Sequence, residues 1–116
     1  MLSRKTTLRL LDIIEDAGRI ATFIDGMTVN DSLADERTIF AIERLLQRVT
    51  EAAIQIVPED AIQLEPNLPI GKMRGLGNRL RHEYGEIDRR AIFQIAFVEV
   101  PLLRAAAELA VETNAC

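Results

Sequence analysis

A chain of 116 residues fits one domain and can bury a core without disulfide or metal staples. Hydrophobic residues at 48% against 28% charged exclude a disordered chain. A net charge of −4 excludes nucleic-acid binding by overall basicity and leaves a local patch as the only route.

The first stretch, "MLSRKTTLRLLDIIEDAGRI", has neither a signal-peptide core nor a membrane span, so the expected place is the cytoplasm. One cysteine, Cys116, permits no internal disulfide and suits a reducing compartment. From Leu8 to Ile24, Leu10 or Leu11, Ile14, Ala17, Ala21 and Ile24 recur at the helical period, and Gly26 offers the stop. Asn30, Asp31 and Ser32 are candidate N-caps for a second helix from about Leu33 to Val57. Its predicted buried stripe is Ile39, Ile42, Leu45 or Leu46, Val49 and Ala53. Arg37, Glu43, Arg44, Gln47, Arg48 and Glu51 fall mostly off it, and Pro58 ends it.

"PEDAIQLEPNLP" reads as a connection with room for one short helical turn. Pro69 opens a third helix that frays near Gly85. Asp88 caps a fourth, "RRAIFQIAFVEVPLLRAAAELAVET", kinked or restarted at Pro101. Strand alternation is missing. The predicted fold is all-α, an up-and-down four-helix bundle in one domain spanning residues 1–116.

Polar equipment concentrates in "RGLGNRLRHEYGEID", Arg74 to Asp88, which holds the only histidine and the only tyrosine. At about 100° per residue, Met73, Leu76, Leu80 and Tyr84 face the core, while Arg74, Asn78, Arg81 and His82 face away. Gly71 and Gly75 join the polar side, where they leave room for a close approach. Imidazole can move a proton near neutral pH. Guanidinium groups bind phosphate and stabilise developing charge, and an amide can hold a 2′-hydroxyl or orient the imidazole. These are parts for metal-independent RNA cleavage, with Arg79 and Gly75 beside the substrate. One His must then serve as acid and base, or a second subunit supplies its twin. The same residues also suit a solvated helix end with weak surface ion pairs. One His without Cys or an H-E-x-x-H spacing gives no metal site, and no cofactor is expected.

The segment "NRLRHEYGEID" resembles the motif of the HepT-like family of the HEPN superfamily: an arginine, four to six residues, then His-x-Tyr, here His82 and Tyr84. "AIERLLQRVTEAA" is similar to the family's second helix, "NLPIGKMRGLGN" to the entry into the motif helix, and "FVEVPLLRAA" to the last helix. The resemblance implies a four-helix toxin of a toxin–antitoxin pair. It implies a metal-independent endoribonuclease that works as a homodimer with motif helices facing across a cleft. It also implies an MntA-like nucleotidyltransferase partner that silences the toxin by AMP transfer to Tyr84. The sequence departs from the pattern at one place. Positions five to seven before His82 hold Gly77, Leu76 and Gly75, so the cation must come from Arg74 or Arg81. A non-catalytic dimeric module that docks the nucleotidyltransferase is the alternative. A homodimer predicts an apolar strip on the first or second helix.

Overall fold

The computed structural model describes residues 1–82 and 88–114. Tyr84, Gly85 and Cys116 lie outside the described residues. The chain forms α1 (Arg4–Ile24), α2 (Val29–Leu33), α3 (Glu36–Ile54), α4 (Pro58–Leu64), α5 (Ile70–His82) and α6 (Arg89–Gln94). A π-helical segment (Ile95–Glu99) joins α6 to α7 (Val100–Asn114). No strand occurs among the described residues. The long helices α1, α3 and α5 and the composite last helix are the four expected ones.

Helix α1 is capped by the Ser3 hydroxyl, which accepts from the Thr6 N–H at 3.1 Å. It buries Leu10, Ile13, Ala17, Ile20 and Ile24. Ile13 and Ile20 therefore replace the expected Ile14 and Ala21. Both choices satisfy the helical period, and the inward one is set by α1 packing between α3 and α7. Gly26 follows with φ +76°, the left-handed stop that lets the chain leave the helix.

The second predicted helix divides. Thr28 and Asp31 form a reciprocal capping box that starts α2 three residues before the expected caps end. Asp35 then accepts from the Arg37 N–H and caps α3. Asn30, Asp31 and Ser32 are thus inside α2 rather than ahead of α3. At the other end α3 stops at Ile54, and Pro58 begins α4 instead of ending α3, because proline tolerates the first helical position. Ile39, Ile42, Leu45, Leu46, Val49 and Ala53 are all buried as predicted. Glu43, expected off the stripe, is buried, with Arg89 Nε 3.8 Å from its carboxylate.

Two cross-links fix how α1 lies on α3. Arg9 Nη1 donates to Gln55 Oε1 at 2.9 Å, and Arg48 Nε lies 3.1 Å from Asp16 Oδ2. As the number rises on one helix it falls on the other, so the pair is antiparallel. Helix α5 packs against the other flank of α3. The Arg74 side chain donates to the Ile56 carbonyl, and Gly77 faces Thr50. That pair is antiparallel too.

The Pro101 problem is solved one turn upstream. Proline cannot donate to a carbonyl and its ring crowds the preceding turn. The chain widens into the π segment, where the Val100 N–H reaches back to the Ile95 carbonyl, and the helix continues without a break. Asp88 caps α6 by accepting from the Arg90 N–H at 3.0 Å.

Gly77 makes the α3–α5 contact possible. A Cβ built there would sit 2.8 Å from Thr50 Cβ. Thr50 cannot turn aside, because its hydroxyl donates to the Leu46 and Gln47 carbonyls. Gly77→Ala is expected to lose about 1–3 kcal/mol of stability through overpacking. Gly75 has nothing within 4 Å of its Cβ position, so Gly75→Ala should gain about 1 kcal/mol of helix propensity. Urea unfolding of both variants checks the opposite signs.

A buried carboxylate ties the N-terminus to α4. Asp60 accepts from the Thr6 hydroxyl, the Ser3 hydroxyl at 3.0 Å and the Ser3 N–H at 3.2 Å. The Thr6 bond, aided by the Ser3 bonds and the chain's ammonium group and opposed by burial, holds its pKa below the ordinary 3.8. A depressed carboxylate stabilises the fold above the unfolded value and loses that contribution as pH falls through the folded one. Acid unfolding below about pH 4 should therefore be less steep for Asp60→Asn, which is also less stable at pH 7. Denaturant midpoints measured from pH 2 to pH 7 test this.

Candidate functional site

Helix α5 presents two different surfaces beside its contact with α3. Gly77, Met73 and Leu80 are buried and Leu76 is half-buried, as the helical period required. One flank meets the last helix across a groove of about 350 Å³, lined by Lys72, Gly75, Leu76, Arg79, Ile95 and Leu103 among others. The other flank carries Arg74, Asn78 and Arg81, with His82 exposed at the helix end.

These polar residues have different surroundings. Arg81 Nη2 donates to Asn78 Oδ1 at 2.8 Å, so an exposed guanidinium is held one turn from an exposed amide. His82 follows Arg81 directly. Arg74 is half-buried: one nitrogen donates to the Ile56 carbonyl, and its Nε is buried with no hydrogen-bond partner. That places the Arg74 head against the α3–α4 link rather than at the tip with Arg81 and His82. Arg79 lines the groove on the far flank. The structure thus places Asn78, Arg81 and His82 in the last turns of α5, with Arg74 two turns away along the same flank and Arg79 on the opposite one. Tyr84 is not among the described residues.

Basic groups in the last turn of α5 also suit the negative end of the helix dipole. That effect accounts for charge there, but not for the bond from Arg81 to Asn78. Among the described residues, no cluster of three or more His, Cys, Asp or Glu could hold a metal ion. No helix is long and apolar enough to cross a membrane among those residues.

The two glycines singled out from sequence differ in what they do. Gly75 leaves open space, and the Gly71 N–H donates to Glu65 Oε1 at 2.9 Å near the start of α5. The close approach belongs to Gly77, which sequence reasoning had noted only as a missing arginine. Its partner Thr50, one small residue in a stripe of Val and Leu, was the available signal.

The described chain is thus an all-helical bundle that exposes a histidine, an arginine and an asparagine at the end of its third long helix. A family model described as "Ribonuclease HepT-like" matches residues 13–110. The chain belongs to the HepT-like ribonuclease family. It is 35% identical over 92 residues to "Putative RNase MJ0127" of Methanocaldococcus jannaschii, covering 79% of this chain and 75% of the relative. It is 32% identical over 95 residues to "Probable ribonuclease HepT" of Thermococcus cleftensis, covering 82% and 86%. A further Methanocaldococcus jannaschii protein, "Putative RNase MJ1380", is 28% identical over 109 residues, covering 94% and 99%. No solved structure matches.

Proposed function

We propose that the protein is a metal-independent endoribonuclease, the toxin of a toxin–antitoxin pair. The observation that carries this reading is the exposed His82 beside the Arg81–Asn78 bond in a chain of the HepT-like family. In the reaction, the His82 imidazole takes the proton of a ribose 2′-hydroxyl, which attacks the adjacent phosphorus. The P–O5′ bond breaks, and His82 of the partner subunit gives a proton to the leaving 5′-oxygen. A 2′,3′-cyclic phosphate and a 5′-hydroxyl end result. Arg81 stabilises the charge that grows on the phosphorane oxygens, and Asn78 keeps the guanidinium aimed.

The homodimer needed for two imidazoles has an apolar surface to use. Val98, Leu102 and Leu109 are exposed at 62%, 67% and 59%, four and seven residues apart on one side of the last helix. On the first and second long helices, where the strip was expected, the exposed large apolar residues are Leu8 and Leu11 at 45%, Phe23 at 49% and Phe40 at 53%. The same last helix forms one wall of the groove beside Gly75, through Ile95, Glu99 and Leu103. An MntA-like nucleotidyltransferase is the proposed antitoxin. AMP added to Tyr84, two residues after His82 in the sequence, would bring phosphate charge that competes with RNA. Cleavage of single-stranded RNA in the presence of EDTA, leaving 5′-hydroxyl ends, tests the activity. No cleavage by the purified dimer would reject it.

A second reading is favoured by Gly77. It stands five places before His82, one of the motif arginine's positions, and Thr50 fills the space an arginine would need. On that reading the dimer is a docking module for the nucleotidyltransferase and Arg81 binds the partner instead of phosphate.

A further inference from the structure

Two of the four phenylalanines are exposed, Phe23 at 49% and Phe40 at 53%. They lie at about the same height along the bundle. The antiparallel register set by Arg9–Gln55 and Asp16–Arg48 brings Phe23 level with Ala41, next to Phe40. On α3, Arg37, Phe40 and Arg44 follow at spacings of three and four residues, which puts them on one outward ridge. All three are exposed.

The charges on this ridge differ from those higher up. Arg9, Arg19 and Arg48 are engaged with Asp12, Glu15 and Asp16. Among the described residues, no carboxylate lies within ion-pair distance of Arg37 or Arg44, and Arg44 bonds only the neutral Gln47 amide, at 3.4 Å. Two open guanidinium groups therefore flank the open Phe40 ring, with Phe23 at the same height on α1. The ridge also leads to the His82 site. The Gly77–Thr50 and Arg74–Ile56 contacts set Arg81 about level with Gln47. From there Phe40 is seven residues along α3, about 10 Å at the helical rise.

A second copy of the chain suits this ridge poorly. A twofold contact would gather four guanidinium groups in one interface, and the last helix offers an apolar stripe, Val98, Leu102 and Leu109, without them. A single nucleic-acid strand suits it well, since its phosphates match guanidinium groups and its bases stack on aromatic faces. We infer that Phe40 and Phe23, with Arg37 and Arg44, form a binding track for the single-stranded RNA that flanks the cut phosphate. The inference rests on the ribonuclease reading above.

The test uses the dimer carrying His82→Ala, so that RNA stays intact, and fluorescein-labelled oligouridine in an anisotropy titration. Adding Phe40→Ala should weaken binding about tenfold, as loss of one stacking platform does. Adding Arg44→Ala should weaken it and flatten the salt dependence. Circular dichroism and light scattering should show unchanged helicity and mass. Affinity equal to that of the parent overturns the track, even if the wild-type protein cuts RNA. A shift of Phe40→Ala to monomer assigns the ring to protein contact and overturns it as well. If the wild-type protein neither binds nor cuts RNA, the ribonuclease reading falls and the track falls with it.

Discussion

His82→Ala should slow RNA cleavage by about 10²–10⁴-fold, the usual contribution of a positioned acid–base group. The expected loss is large because, in the proposed reaction, every proton that moves passes through this residue or its symmetry mate. No other histidine exists in the chain to take over. The fold should survive the change. His82 is exposed at the last position of α5, and alanine favours helix. A substitution at so exposed a position usually changes stability by about 0.5 kcal/mol or less. Thermal unfolding should therefore move little while cleavage collapses. A substrate with a 2′-deoxyribose at the cut site provides the chemical control, since it lacks the nucleophile. Cleavage of that substrate, or full activity of His82→Ala, would disprove the imidazole mechanism.

The long-range pattern was legible wherever apolar residues kept a clean period. The α3 stripe was read correctly because Ile39, Ile42, Leu46, Val49 and Ala53 leave no competing face. On α1, Ile13 and Ile14 are adjacent and chemically alike, so only the packing of two neighbours could choose between them. Helix boundaries failed where several cap residues stand in a row. "TVNDSLAD" offers a cap at Thr28 and another at Asp35, and the chain uses both. Pro58 was read as a stop when it is a start, since proline fits just after one helix as well as at the first turn of the next.

The candidate site was partly legible. Its polar face follows from helix geometry, and so does the grouping of Asn78, Arg81 and His82. Which arginine stands at the tip does not follow from it. Arg74 and Arg81 project on nearly the same side of α5, but they are two turns apart along it. At Arg74 the flank of α5 meets the link after α3, where the Ile56 carbonyl lies outside either helix and accepts. At Arg81 a side-chain amide is the nearest partner. That difference lies in the α3–α4 corner, which no pattern within α5 contains.

It also gives the second large expectation. Arg81→Ala should lower kcat by about 10²–10³-fold, the effect of removing one donor from a developing oxyanion, with little change in unfolding temperature. Arg81→Lys should restore only part of the rate, because an ammonium keeps the charge but not the planar fork. Arg74→Ala should behave in the opposite way. It removes the clamp on the Ile56 carbonyl and should cost stability by about 1–3 kcal/mol, the range for bonds made by charged groups. Its effect on rate should be smaller than that of Arg81→Ala once the assay is run well below the unfolding temperature. Single-turnover cleavage and calorimetry on the same samples separate the two. A rate loss for Arg74→Ala at least as large as that for Arg81→Ala would mean that the Arg74 head leaves the carbonyl and reaches the phosphate in the RNA complex. In that case the motif arginine would have moved one residue along the helix, and Thr50 opposite Gly77 would mark the packing change that went with it.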